Sequence, residues 1–158
     1  MKRRQFVGTL AGLFAMHRVA GAAGADAEKI EKIVLKPEEW KERLTPAQYA
    51  VLREEATERA GSSPLDREKR KGTFVCAGCD LPLFTSDMKY DSGTGWPSFF
   101  SYIPGRLGTK TDFKLIFPRT EYHCVRCAGH QGHVFDDGPK PSGKRYCNNG
   151  IALKFIPA

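Results

Sequence analysis

Two Cys-x-x-Cys pairs, Cys76-Ala77-Gly78-Cys79 and Cys124-Val125-Arg126-Cys127, stand 44 residues apart and constrain this chain more than any other feature. Their four thiolates match, in number and kind, the ligands of tetrahedral zinc in a closed site, at about 2.3 Å from each sulfur. Gly78 is expected to supply the tight knuckle that turns two sulfurs onto one ion. In a domain of short strands such a site carries folding free energy, since structural zinc peptides bind with roughly 10–16 kcal/mol. Four sulfurs leave no open position for water, so the metal is structural. A redox reading of Cys-x-x-Cys needs a βαβ setting that is missing here. Two disulfides are the remaining alternative, and the cysteines alone leave it open.

A fifth cysteine, Cys147, stands apart in Arg145-Tyr146-Cys147-Asn148-Asn149. It is either buried filler or a nucleophile. On a strand, Arg145 and Asn149 share its face, two residues away on either side. A free thiol near pKa ~8.5 is mostly protonated at neutral pH, so a nucleophile needs such a charge beside it. His130 and His133 offer imidazoles that shuttle protons near neutrality. Each alone is as readily a satisfied polar residue or a metal ligand. In the run Asp91 to Phe100, Gly93 and Gly95 precede Trp96-Pro97. This places an indole on tightly turned backbone, to line a small apolar pocket or to fill the core. No Gly-Lys-Ser/Thr follows, which argues against a phosphate loop.

The first 25 residues read as an address. Lys2-Arg3-Arg4 is a positive start, Val7 to Met16 is short and mildly apolar, and Ala20 to Ala25 carries small-residue cleavage signals. Arg3-Arg4 with Phe6 fits the twin-arginine type, which exports folded protein. The expectation is a periplasmic protein with no membrane insertion after signal removal. Zinc loaded in the cytosol would then shield the thiolates from an oxidising compartment. Without residues 1–25 the formal charge of +7 falls to +3, a weak case for nucleic acid.

Residues 26–36 read as a charged linker, and 37–158 as one domain. Pro37-Glu38-Glu39-Trp40 opens a helix, and Thr45-Pro46-Ala47-Gln48 is a capping box opening a second. That helix would carry Tyr49, Leu52 and Ala56 on one stripe and end before Gly61. Residues 61–71 read as loop. Beyond Gly72, apolar runs of strand length recur at 73–75, 113–117, 122–125, 133–135 and 151–156. The expected fold is mainly β, mostly antiparallel, behind two short helices.

Three segments then converge. Gly-Thr-Gly-Trp-Pro-Ser-Phe (93–99), His-x-Gly-His-Val-Phe-Asp-Asp-Gly-Pro (130–139) and Arg-Tyr-Cys-x-Asn (145–149) resemble the methionine-R-sulfoxide reductases of the MsrB family. The resemblance spans residues 36–156. It implies two antiparallel sheets, short N-terminal helices and a structural zinc on Cys76, Cys79, Cys124 and Cys127, set apart from the chemistry. Cys147 becomes the nucleophile that attacks the sulfoxide sulfur and is left as a sulfenic acid. His130, His133 and Asn149 position and protonate the oxygen, and Arg145 holds the site's charge. Trp96 and Phe99 receive the substrate. Thr94 stands where many members carry a resolving cysteine. The resemblance therefore implies a one-cysteine enzyme, recharged by a thioredoxin-like or low-molecular-weight thiol. Ala128-Gly129, Gln131 and Asn148 also depart from the common pattern, Gln131 replacing an apolar residue. A zinc-ribbon binding module without catalysis is the competing reading.

Overall fold

Pro37 and Pro46 each occupy the first turn of a helix, where a missing N–H costs nothing. In a computed structural model describing residues 30–114 and 117–158, these helices are α1 (Pro37–Arg43) and α2 (Pro46–Glu54). The expected leader over residues 1–25 lies outside the described residues, as do Leu115 and Ile116. Thr45 caps α2 by accepting the Gln48 amide at 3.2 Å, and the Gln48 side chain returns to the Thr45 amide at 3.1 Å. The helix stops well short of Gly61. Glu55 takes a left-handed φ of 58°, and its carboxylate is held by Lys110 and by Lys114, the latter at 2.7 Å. Val51 and Leu52 are therefore the buried residues of α2, and Ala56 lies past its end. Residues 30–36, expected as linker, have no regular structure, yet the Ile33 amide donates to the Arg126 carbonyl at 2.7 Å.

The strands form two antiparallel sheets. The smaller has the order β2-β1-β9, from β1 (Gly72–Cys76), β2 (Pro82–Thr85) and β9 (Leu153–Pro157). The larger comprises β3 (Lys89–Tyr90), β4 (Ser98–Phe99), β5 (Leu107–Asp112), β6 (Arg119–Cys124), β7 (His130–Phe135) and β8 (Arg145–Asn148). Its order is β3-β4-β8-β7-β6-β5. A layer of rings joins the sheets: Phe84 stacks on Phe99 at 4.0 Å, and Phe74 meets Phe99 edge-on at 5.0 Å.

Of the apolar run expected as a strand at 113–117, the described residues Phe113, Lys114 and Phe117 lie outside any strand. The strand is β5, just before it, whose middle residues are polar and exposed because it is an edge. Phe113 and Phe117 are 77% and 80% exposed. The knuckles also differ from expectation. Left-handed φ values of 57° and 55° fall on Asp80 and Ala128, one residue past the second cysteine of each pair, and not on Gly78. In both knuckles the amide four residues on returns to the first cysteine's carbonyl, Asp80 to Cys76 at 2.9 Å and Ala128 to Cys124 at 2.8 Å. The two turns are local copies of one another.

Candidate active site

The four cysteine sulfurs lie within 4.8 Å of one another, with Cys76 to Cys127 at 3.6 Å and Cys79 to Cys124 at 3.5 Å. A disulfide would hold its sulfurs near ~2.05 Å, so neither pair is bonded. Sulfurs at about 2.3 Å from a tetrahedral ion sit about 3.8 Å apart along each edge. The cluster therefore fits a closed tetrahedral metal. Cys76 ends β1 and Cys124 ends β6, so the cluster clamps one sheet to the other. Arg53 of α2 covers it, donating to the Cys127 carbonyl at 2.7 Å.

Away from the cluster, strand register assembles a row of side chains on one face. Lys110 opposes Glu121, Glu121 opposes His133, His133 opposes Cys147, Cys147 opposes Ser98, and Ser98 opposes Tyr90. Directly opposed residues of antiparallel strands have Cβ atoms roughly 4.5–5.5 Å apart, which makes His133 and Cys147 cross-strand neighbours at the same cleft. Close approach of β7 to β8 depends on Gly132, where a Cβ would come within 1.9 Å of the Cys147 carbonyl oxygen. Gly132→Ala should therefore lower the unfolding free energy by about 3 kcal/mol or more, read by denaturant titration. A loss below about 1 kcal/mol would mean the strands can part there freely.

Cys147 lies half-buried in a cleft of about 270 Å³, whose walls include Thr94, Trp96, His133, Arg145 and Asn149. Burial pushes the thiol up from its ordinary value, against the nearby Arg145 charge and hydrogen bonds from Thr94 and Arg145. Arg145 is fixed by a two-pronged pair with Asp137, both bonds 2.8 Å, and lies 4.4 Å over the Phe135 ring. The His133 ring is bonded to Asp112 at 2.7 Å, and Asp112 also accepts from Arg119 at 2.7 Å. Because a carboxylate only accepts, Nε2 of His133 carries the proton. Burial lowers the pKa of His133, partly offset by this bond to Asp112.

His130 lies behind, 2% exposed, its ring 5.5 Å from that of His133 and its Nδ1 2.8 Å from Glu121. Burial lowers it to about 4. Two histidines three apart on a regular strand would point to opposite faces. Here a β-bulge at Gln131, between the Tyr122–Gly132 and His123–His130 pairs, turns both the same way. The structure thus brings Cys147, His133, Arg145, Asn149 and Trp96 together at the cleft and sets His130 one step behind. Phe99, expected to receive the substrate, is instead fully buried between Phe74 and Phe84, a core residue that does not line the cleft. Asn149 also has a different setting from the strand position expected. It follows β8, its amide nitrogen bonds the Gln131 carbonyl at 3.0 Å and its oxygen accepts the Glu58 amide at 3.0 Å.

Glu58 escaped the sequence reading. Its carbonyl accepts the Trp96 indole N–H at 3.2 Å, and its carboxylate accepts the Gly150 and Ile151 amides at 2.5 and 3.0 Å. One residue thereby ties the indole to the end of the Cys147 strand. The carboxylates Asp112, Glu121 and Asp137 were missed as well. Only Asp137, inside the 130–139 segment, had a signal that could have found it.

A lone thiol on a β scaffold, apart from a four-cysteine cluster, shares a cleft with the histidine opposite it on the next strand, an arrangement suited to thiol chemistry. The SelR domain matches residues 44–157. Peptide methionine sulfoxide reductase B1 of Arabidopsis thaliana, a chloroplast protein, is 52% identical over 131 residues, covering 82% of this chain and 65% of its own length. Peptide methionine sulfoxide reductase MsrB of Bradyrhizobium diazoefficiens is 49% identical over 128 residues, 80% of this chain and 92% of its own. The Pseudomonas putida MsrB is 47% identical over 131 residues, 82% of this chain and 96% of its own. This chain belongs to the MsrB family of peptide methionine sulfoxide reductases and is an oxidoreductase.

Proposed function

We propose that the chain reduces the R epimer of protein-bound methionine sulfoxide to methionine, with Cys147 as nucleophile. The observation that carries this is the direct opposition of Cys147 and His133 across β7 and β8, at a cleft walled by Trp96. The thiolate attacks the sulfoxide sulfur as the oxygen takes a proton from the imidazole side. The sulfoxide S–O bond and the transient bond from Cys147 to the substrate sulfur then break as the oxygen bonds the Cys147 sulfur, so methionine leaves reduced by two electrons and Cys147 is left as a sulfenic acid. Two external thiols then restore Cys147, releasing water and one disulfide. The chain has five cysteines, four of which form the cluster, so the reductant comes from outside. With the methyl against the indole and the oxygen towards His133, the two epimers present different faces to Cys147, which favours one. The leader pattern supports export to the periplasm, tested by N-terminal sequencing of the fractionated protein. In the described residues no helix is long and apolar enough to cross a membrane.

Separated R and S sulfoxide peptides with dithiothreitol test the reading: turnover of R alone is expected, and turnover of neither overturns it.

The pH profile carries a second expectation. Both imidazoles are pulled down by burial and the thiol is pushed up, so thiolate with imidazolium is a minority at every pH. Its population rises to the imidazole pKa, stays level, and falls above the thiol pKa. Thus kcat/KM should trace a broad plateau. Arg145→Met removes a charge that lowers the thiol, so it should depress the plateau and move the alkaline break upward. An unmoved break would remove Arg145 from this role.

A further inference from the structure

Gln131 is fully buried, on a bulge that turns it to the opposite face from His130 and His133. A buried primary amide costs about 1–3 kcal/mol unless its polar atoms are bonded. Its Nε2 donates to Cys76 Sγ at 3.4 Å, and its Oε1 accepts Asn148 Nδ2 at 3.4 Å. Asn148 in turn accepts the Tyr122 hydroxyl at 2.8 Å and immediately follows Cys147. The Gln131 carbonyl takes both the backbone and side-chain N–H of Asn149, at 2.8 and 3.0 Å. One residue therefore touches a cluster sulfur at one end and both residues after the nucleophile at the other.

We propose that Gln131 is an outer-sphere partner of the metal cluster and couples it to the Cys147 strand. This rests on the four cysteines binding a metal. An N–H donated to a metal-bound thiolate disperses its charge and fixes its lone pairs. Loss of such partners typically weakens metal sites 10–100-fold. Asn148, whose Nδ2 also donates to the Asn149 carbonyl at 2.8 Å, holds the amide oxygen away from the cluster, so the strand beside Cys147 helps orient a ligand it never contacts.

The test follows zinc release from the intact, zinc-loaded chain to a chromogenic chelator, beside the sulfur-to-cobalt charge-transfer band of the cobalt-substituted protein. Gln131→Leu, with circular dichroism verifying the fold, should weaken zinc binding about 10-fold and shift the cobalt band. Gln131→Met serves the same purpose should the leucine variant fail to fold. Asn148→Ala should also speed release, and the double variant should release no faster than Gln131→Leu alone. Wild-type affinity and an unshifted band in the Gln131 variants would overturn the outer-sphere role. Additive effects in the double variant would overturn the coupling. A wild-type chain that holds neither metal would instead remove the cluster reading beneath it.

Discussion

Cys147→Ser is expected to bring sulfoxide reduction down to background, a loss of ~10³-fold or more in kcat/KM, with fold and metal content unchanged. The reason is chemical before it is electrostatic. The proposed reaction moves an oxygen atom from one sulfur to another, and a serine hydroxyl could not accept it. Serine is nearly isosteric with cysteine, and Cys147 is only half-buried, so packing should survive. The assay is chromatographic separation of reduced from oxidised peptide, with metal analysis and circular dichroism on the same preparation. Single-turnover labelling with a sulfenic-acid probe should mark the wild type and not the variant. More than about one per cent residual turnover would move the nucleophile elsewhere.

Stripping the metal, or replacing Cys124 by Ser, should lower the melting temperature by more than about 10 °C, because each kcal/mol is worth several degrees in a domain this size. Zinc binding of roughly 10–16 kcal/mol in small peptides is comparable with the whole stability of a domain, about 5–15 kcal/mol. The clamp joins the end of β1 to the end of β6, and without it the ring stack of Phe74, Phe84 and Phe99 is left to hold the sheets. Cys76 and Cys124 are buried, so removing the ion leaves crowded thiols that cannot all ionise. Thermal unfolding with and without chelator gives the answer. A metal-free chain melting within about 2 °C of the loaded one would show that the clamp carries no stability.

Much of this was legible in the sequence because the informative residues come in local words. The cysteine pairs, the two prolines opening helices and the Gly-Thr-Gly-Trp turn each carry their geometry within a few residues. Gly93 and Gly95 do adopt left-handed φ values, 69° and 86°. What escaped depends on partners far along the chain. Glu58 meets Gly150, and Asp112 meets His133 and Arg119, by closure of the fold rather than by spacing. Strand β5 was missed because an edge needs no apolar residues, while the exposed Phe113 and Phe117 beside it mimic a core strand. Phe99 departs from expectation for the opposite reason. It follows the indole by three residues, but its place in β4 turns it into the ring stack.

The bulge in β7 has a meaning for how densely this segment is used. A plain strand reading His-x-His would aim two imidazoles at one face in three letters. This chain uses four, and the surplus letter is the one that looks the other way. A point deletion there would therefore keep both imidazoles on one face and silence the message sent to the cysteine cluster, separating two instructions that share a single word.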